Sequence, residues 1–148
     1  MAEILLTPTS PLAGRKIEIA GSTLAERSDI ALTSLACPLG GDAAFGKLLK
    51  SQCGLARPEP RLSSQSGSYR AVAMTPDQVL VLHDISTEVS ASKSAYCTDQ
   101  TGNWCVLELT GPTAHDALAR VCPIDLHDSV FPLHASARTV MEHMGAVI

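Results

Sequence analysis

The sequence is poor in aromatic residues and in charges. Aromatics make up 3% and charged residues 18% of the 148 residues, whereas apolar residues make up 45%. This composition is typical of a folded globular chain and excludes a disordered or fibrous one. A chain of this length can bury one core without disulfides or metals. The positive mean hydropathy and the few charges favour a chain whose surface is partly covered by other subunits.

The chain also lacks a cluster of Lys and Arg, and its net charge is −4. Nucleic acid is therefore not an expected partner. No apolar run approaches the roughly 18 residues that a membrane span needs, so no membrane association is expected. The first residues, Met-Ala-Glu-Ile-Leu-Leu-Thr-Pro, lack the basic and apolar regions of a signal peptide. We expect a cytoplasmic protein.

No Cys-x-x-Cys pair occurs among the cysteines. Their number is odd and their positions are scattered: Cys37, Cys53, Cys97, Cys105 and Cys122. This pattern favours free thiols in a reducing compartment over a disulfide framework. We expect them to pack as small buried hydrophobes.

The N-terminal part contains prolines, glycines and only short apolar runs. Residues 1–28 are therefore expected to form an extended arm, followed by one domain over residues 29–148. Residues 29–37 have the composition of a strand. A helix should begin at Asp42 as its N-cap and end at Gly54.

The middle of the chain predicts a β-hairpin. Residues 69–74 and 78–83 are strand-like runs separated by a Thr-Pro-Asp turn. The second run is apolar at consecutive positions, which predicts a central strand covered on both faces. For residues 84–103 we expect a short helix and a loop.

The C-terminal part repeats this order of elements. Residues 104–109 predict a strand, and Gly111 and Pro112 should start a helix. Residues 135–143 and 146–148 predict a hairpin around Gly145. The whole order predicts an α+β fold built from split βαβ units with a mixed or antiparallel sheet.

The run from Gly41 to Leu48 matches a phosphate-binding P-loop except at its last position. A P-loop needs a Ser or Thr hydroxyl for magnesium, and Leu48 has none. Asp42 would place a negative charge beside the phosphates. An ordinary capped helix is the preferred interpretation.

The loop after the second helix combines a thiolate, carboxylates and an imidazole in Cys122, Asp125, His127 and Asp128. Such groups can bind metals, but this spacing belongs to no known metal motif. Loops that leave helices collect Asp and His because these side chains satisfy local backbone groups. We expect no metal on this chain.

Catalytic motifs are also missing. The sequence has neither a Gly-x-Ser-x-Gly elbow nor a Gly-x-Gly-x-x-Gly fingerprint. His83 and Asp84 are adjacent, but His83 ends a buried strand, where a structural histidine is the preferred interpretation. We expect no catalytic and no cofactor-binding residue.

A family resemblance rests on the last third of the chain. It consists of Cys105-Val-Leu-Glu-Leu-Thr-Gly-Pro, Cys122-Pro-Ile-Asp-Leu-His, Phe131-Pro-Leu and Ala137-Arg-Thr-Val. Together these runs resemble the gamma subunit of bacterial heterotetrameric sarcosine oxidase. The Leu107-Glu-Leu-Thr-Gly-Pro run also resembles the wider folate-binding aminomethyltransferase relatives.

The resemblance implies a fold like the folate-binding aminomethyltransferase domain and a place beside alpha, beta and delta subunits. Such a complex demethylates sarcosine oxidatively to glycine and passes the one-carbon unit to tetrahydrofolate. It carries FAD, FMN, NAD and zinc on its other subunits. The gamma chain has no known cofactor and is a non-catalytic structural subunit. Related complexes oxidise N-methylglutamate or other N-methyl amino acids.

Trp104, Glu108, His127 and Arg138 are then expected to hold loops and strands in place. The family continues beyond the point that corresponds to Ile148. We therefore expect either a chain truncated at its C-terminus or a sheet edge that a partner supplies. A folate-binding aminomethyltransferase-like domain is the alternative from the enzyme class. It would need an acidic residue aimed at the folate and a deep central pocket.

Overall fold

The computed structural model describes residues 9–90 and 92–148. In chain order the strands and helices are β1 Lys16–Ile19, β2 Ser22–Glu26, β3 Ile30–Ala36, α1 Asp42–Cys53, β4 Ser63–Ser66, β5 Tyr69–Thr75, β6 Gln78–Asp84, β7 Tyr96–Asp99, β8 Leu107–Thr110, α2 Ala114–Val121, β9 Arg138–Met141 and β10 Met144–Val147. A 3₁₀ turn at Thr101–Asn103 precedes β8. Within the described ranges, no helix is long and apolar enough to cross a membrane.

These strands form three antiparallel sheets. Five strands lie in the order β4-β5-β6-β3-β7, three in the order β1-β2-β8, and β9 and β10 form a hairpin. The predicted α+β class is confirmed. Every pairing between described strands is antiparallel, and α1 connects β3 to the β4-β5-β6 meander.

The hydrophobic core lies between the five-stranded sheet and α1. Phe45 and Leu49 of α1 are fully buried against Leu35, Val79 and Val81 of the sheet. Because side chains alternate along a strand, neighbouring residues of β6 point to the opposite face. β6 pairs with β5 and β3 and is buried on both faces, as the sequence predicts for a central strand.

Helix α1 begins and ends where the sequence predicts, but its first cap is different. Gly54 adopts the left-handed conformation that ends the helix, as expected. The N-cap is Gly41, and no side chain caps it. The carboxylate of Asp42 instead accepts a hydrogen bond from Arg57 Nη1 at 2.5 Å. Arg57 in turn lies 5.1 Å above the Phe45 ring, so this ion pair covers the core.

Within the expected N-terminal arm, residues 16–26 form the β1-β2 hairpin, because Ala20 and Gly21 both adopt positive φ and reverse the chain. Residues 1–8 lie outside the described part of the chain, and the domain boundary at residue 28 stays a prediction. Within residues 84–103 the expected helix is only the 3₁₀ turn at its end, and strand β7 was missed.

Three predicted boundaries shift in the C-terminal part. The strand expected over residues 104–109 is β8, Leu107–Thr110. Helix α2 starts at Ala114, with Thr113 as its N-cap, so Pro112 precedes the first turn. The last hairpin turns at Glu142 and His143, which both have positive φ, and not at Gly145.

The absence of a side chain at Gly111 allows the end of β8 to lie close to the start of β2. A Cβ at this position would lie 2.6 Å from the Gly21 carbonyl oxygen and from Ser22 Cα, and the Gly111 φ is +110°.

We expect Gly111→Ala to lower the free energy of unfolding by roughly 2 kcal/mol or more. Gly46 within α1 has open space around it, so Gly46→Ala should raise that free energy by about 0.5–1 kcal/mol. Urea unfolding of both variants measures the two changes in the free energy of unfolding. Equal changes in the two variants would contradict the prediction.

Candidate functional site

An open cleft of about 630 Å³ lies on the face of the five-stranded sheet that is turned away from α1. Leu32, Leu80 and Leu82 of the sheet line it, and β8 and the C-terminal residues border it. The cleft is bounded by strand edges. Among the described strands, β8 and β10 each pair on one side only. The cleft therefore combines an apolar lining with unpaired backbone groups.

The rim of the cleft carries a three-residue ion cluster. Arg27 donates to both carboxylate oxygens of Asp29, at 2.9 and 2.7 Å, and its third nitrogen donates to Glu108 at 3.0 Å. Hydrogen bonding to Arg27 lowers the pKa of Asp29 to about 2, and the same bond raises the pKa of Arg27. Since Glu108 belongs to β8, this cluster links the two larger sheets. Both acids on this part of the rim are therefore hydrogen-bonded to the same guanidinium.

Glu26 holds the loop that precedes β1. Its carboxylate accepts hydrogen bonds from Ser10 Oγ at 2.5 Å and from the Gly14 amide at 2.7 Å. The Cys105 thiol, which lines the cleft, donates to Glu26 at 3.5 Å. The bond from Ser10 is the main reason that the pKa of Glu26 is lowered. Glu26 is therefore engaged in holding the loop.

His83 is a structural histidine, as the sequence predicts. Its Nδ1 lies 3.0 Å from the Asp84 carbonyl oxygen, which can only accept, so Nδ1 carries the proton. Nε2 lies within hydrogen-bond distance of Thr33 Oγ1, at 2.9 Å. The ring is buried and stacks on Tyr69 at 6.1 Å between centroids. Both ring nitrogens are satisfied inside the protein, which leaves none for a substrate.

The loop after α2 uses its polar groups locally. Asp125 accepts from the His127 amide at 3.0 Å, and the His127 ring faces Ser129 at 2.8 Å. Cys122 is buried, whereas Asp128 is exposed. Across residues 9–90 and 92–148, no three His, Cys, Asp or Glu side chains are grouped as metal ligands.

The P-loop-like run is the start of an ordinary helix. The Gly41 amide donates to the Pro38 carbonyl at 2.8 Å, and the Gly41 carbonyl accepts from the Phe45 amide at 2.9 Å. Phe45 and Leu48 are buried in the core. The Gly41 amide, which would help to cradle a phosphate, already has a backbone partner.

The other residues singled out in the sequence lie at different places in the fold. Trp104 and Glu108 line the cleft, whereas Arg138 lines a smaller pocket behind it. Sequence reasoning missed two residues, Arg27 and Ser136. Arg27 lies in the expected arm, but its spacing from Asp29 is one at which an ion pair can form. Nothing in the sequence marks Ser136, which is buried only by the packing of distant segments.

The fold and the cleft define an antiparallel α+β domain with an apolar opening, and the acids on its rim are held by hydrogen bonds within the protein. Among the described side chains that line the opening, the buried hydroxyl of Ser136 is without a hydrogen-bond partner. No family model and no curated protein matches the sequence.

The fold is similar to that of a solved chain. That chain belongs to the heterotetrameric sarcosine oxidase from Corynebacterium sp. U-96, solved in complex with pyrrole 2-carboxylate. The TM-score is 0.76 at 21% sequence identity, and the match covers 93% of this chain and 78% of that one. The likeness establishes the shared fold.

The Arg27–Asp29 pair should stabilise the protein in a pH-dependent way. The folded pKa of Asp29 is depressed from 3.8 to about 2, so its contribution is present above the ordinary value and is lost as pH falls towards 2. We expect Asp29→Asn to lower the unfolding midpoint at neutral pH. The variant should also lose less stability than the unmodified chain between about pH 4 and pH 2. Urea unfolding across this range measures both effects.

Asp128→Asn provides the matched control, because Asp128 is exposed and forms no ion pair within the described residues. Its acid dependence should follow that of the unmodified chain. An Asp29→Asn profile parallel to the unmodified one would show that the pair adds nothing to stability.

Proposed function

We propose that this chain is the gamma-type subunit of a four-subunit sarcosine oxidase, in which it positions larger catalytic subunits and has no active site of its own. The complex would demethylate sarcosine oxidatively to glycine, with the one-carbon unit passed to tetrahydrofolate. The partners would be alpha, beta and delta subunits in the cytoplasm. The observation that carries this proposal is the fold match, which extends over most of both chains.

The coverage of the match supports the identity of the subunit. Because 93% of this chain covers 78% of the oxidase chain, the matched chain is itself small. A fold match to a piece of a large catalytic subunit would leave most of that subunit uncovered. The family resemblance of residues 105–140 is an independent reason for the same assignment.

The surface supports a role in assembly. Leu107 on the unpaired edge of β8 is 45% exposed, and Ile19 on β1 is 70% exposed. Unpaired edges with apolar side chains are regions that proteins cover or pair. The ion pair between Arg27 and Glu108 fixes the position of β8 relative to the loop between β2 and β3. This ion pair is the contact through which Glu108 would hold the strand in place.

The cofactors would belong to the partners. In the complex that we propose, FAD, FMN and NAD would be held by the large subunits and zinc by the delta subunit. Since Cys122 is buried and Asp125 and His127 have local partners, the best metal candidates on this chain are already engaged. This supports a location of the zinc on another subunit.

Co-expression with the large and delta subunits of such a complex from the same genome tests the assignment. We expect this chain to co-elute with them. Leu107→Asp on the free β8 edge should weaken the association about tenfold or more, because it places a charge in an apolar contact. Leu39→Asp is the matched control, since Leu39 is fully exposed in the loop between β3 and α1.

A monodisperse chain that never co-elutes with the large subunits would refute the assignment. If Leu39→Asp weakens the association as much as Leu107→Asp does, the β8 edge is not the contact. Activity of the purified complex with sarcosine and with N-methylglutamate separates the two related complexes, because their substrates differ by a side-chain carboxylate.

The cleft favours a second candidate function, binding of a folate. Its volume of about 630 Å³ falls within the range of ligand pockets, and Trp104 and Tyr69 offer rings for stacking. Asp29 and Glu108 lie on its rim, but Arg27 pairs with both. Asp84, the third acid of the lining, accepts hydrogen bonds from the Ser86 amide and hydroxyl, so each of the three is already engaged within the protein, which ranks the folate function second.

Trp104 makes this candidate testable, because it is the single tryptophan of the chain and lines the cleft. We expect no saturable change in its fluorescence when tetrahydrofolate is added, and no heat of binding in calorimetry. Free N-acetyltryptophanamide titrated in parallel corrects for absorption of the excitation light by the ligand. A saturable change that remains after this correction, together with a heat of binding, would establish the folate function instead.

A further inference from the structure

A second pocket, of about 210 Å³, lies behind the cleft. Nine residues line it: Pro60, Arg61, Ala73, Met74, Thr75, Pro76, Ser136, Ala137 and Arg138. Its lining contains two arginines and no acidic residue. The lining is mainly apolar, and its charged side chains are both cationic in a protein whose net charge is −4.

Ser136 separates this pocket from the cleft and lines both. The residue is 3% exposed, and its hydroxyl is the one buried side-chain oxygen or nitrogen in the described residues without a hydrogen-bond partner. An unsatisfied buried polar group costs on the order of 1–3 kcal/mol. Such a group in a native protein commonly marks a missing partner.

The two arginines are placed close to this hydroxyl by the backbone. The Ser136 amide donates to the Arg61 carbonyl at 2.8 Å, and Arg138 follows two residues later on β9. Both arginines are exposed, and neither forms an ion pair within residues 9–90 and 92–148. By contrast, Arg27 and Arg57 are each paired with a carboxylate.

The remaining polar groups near the pocket are engaged. The Thr75 hydroxyl donates to Asp77 at 2.7 Å and is not free for a ligand. Arg57 donates to the Pro76 carbonyl. Glu59, which precedes Pro60, forms no ion pair with either arginine of the pocket. Two guanidinium groups and one hydroxyl thus remain as the available donors.

We propose that Arg61, Arg138 and Ser136 form a binding site for a small oxyanion, a phosphate or a carboxylate group. Guanidinium groups bind both groups through paired N–H donors, and the Ser136 hydroxyl would supply the donor that is now unused. The negative charge would be balanced by two cations that have no acidic partner. This site is independent of the function proposed above.

Titration of the full-length ¹⁵N-labelled chain with sodium phosphate or sodium acetate tests the site, with sodium chloride at equal ionic strength as reference. We expect saturable shifts of the Ser136, Ala137 and Arg138 amide signals, and a higher melting temperature with the binding anion. Binding of phosphate alone indicates a phosphate-bearing ligand, and binding of acetate alone indicates a carboxylate. Failure of both anions to shift these signals overturns the proposal.

Variants separate the site from general salt effects. Arg61→Gln and Arg138→Gln should each weaken the anion about tenfold, whereas Arg120→Gln, an exposed arginine of α2 outside the pocket, should bind as the unmodified chain does. The Ser136→Ala variant should have a higher melting temperature than the unmodified chain in sodium chloride. The binding anion should raise that temperature less than it does for the unmodified chain. Equal affinity of all four variants would overturn the proposal.

Discussion

Burial of β6 on both faces is the constraint on which the rest of the molecule depends. On one face, Val79 and Val81 pack against α1, and this contact forms the core. On the other face, Leu80 and Leu82 line a cleft that β8 and the C-terminal residues border without closing it. Leu80 is itself buried, whereas Leu107 on the β8 edge beside the cleft is 45% exposed. In the proposed assembly, this exposed apolar edge is the surface that a partner subunit would cover.

The second sheet is held beside that opening by a few polar contacts and one glycine. Gly111 lets β8 approach the β1-β2 turn, and Ser22 Oγ accepts from the Thr113 amide at 2.9 Å across the same junction. Arg27 adds the ion cluster with Asp29 and Glu108. Glu26 ties down the loop before β1. These carboxylates hold strands and loops in place, which gives the acids near the cleft a structural role.

Sequence reasoning predicted the core well because its signals are local and strong. The αL glycine at Gly54 and the continuous apolar run of β6 each have one physical interpretation, and both predictions are confirmed. It missed β1 and β7, which are short and largely exposed, and β2, which is short and half-buried. The pairing of β2 with β8 and of β7 with β3 joins segments that are far apart in the sequence, which local patterns do not reveal. The Ser136 pocket was equally hidden, because burial of a serine between distant segments has no local pattern. The corrected turn at Glu142 and His143 shows that non-glycine residues can take positive φ where a glycine stands nearby.

The central proposal is that this chain positions other subunits and performs no reaction itself. The most direct measurement compares the four-subunit complex assembled with this chain and the remaining subunits assembled without it, by native mass and by sarcosine-dependent oxygen uptake. The account predicts one copy of this chain in each active complex, and a loss of assembled complex when it is omitted. Full assembly and full oxygen uptake in its absence would contradict the account.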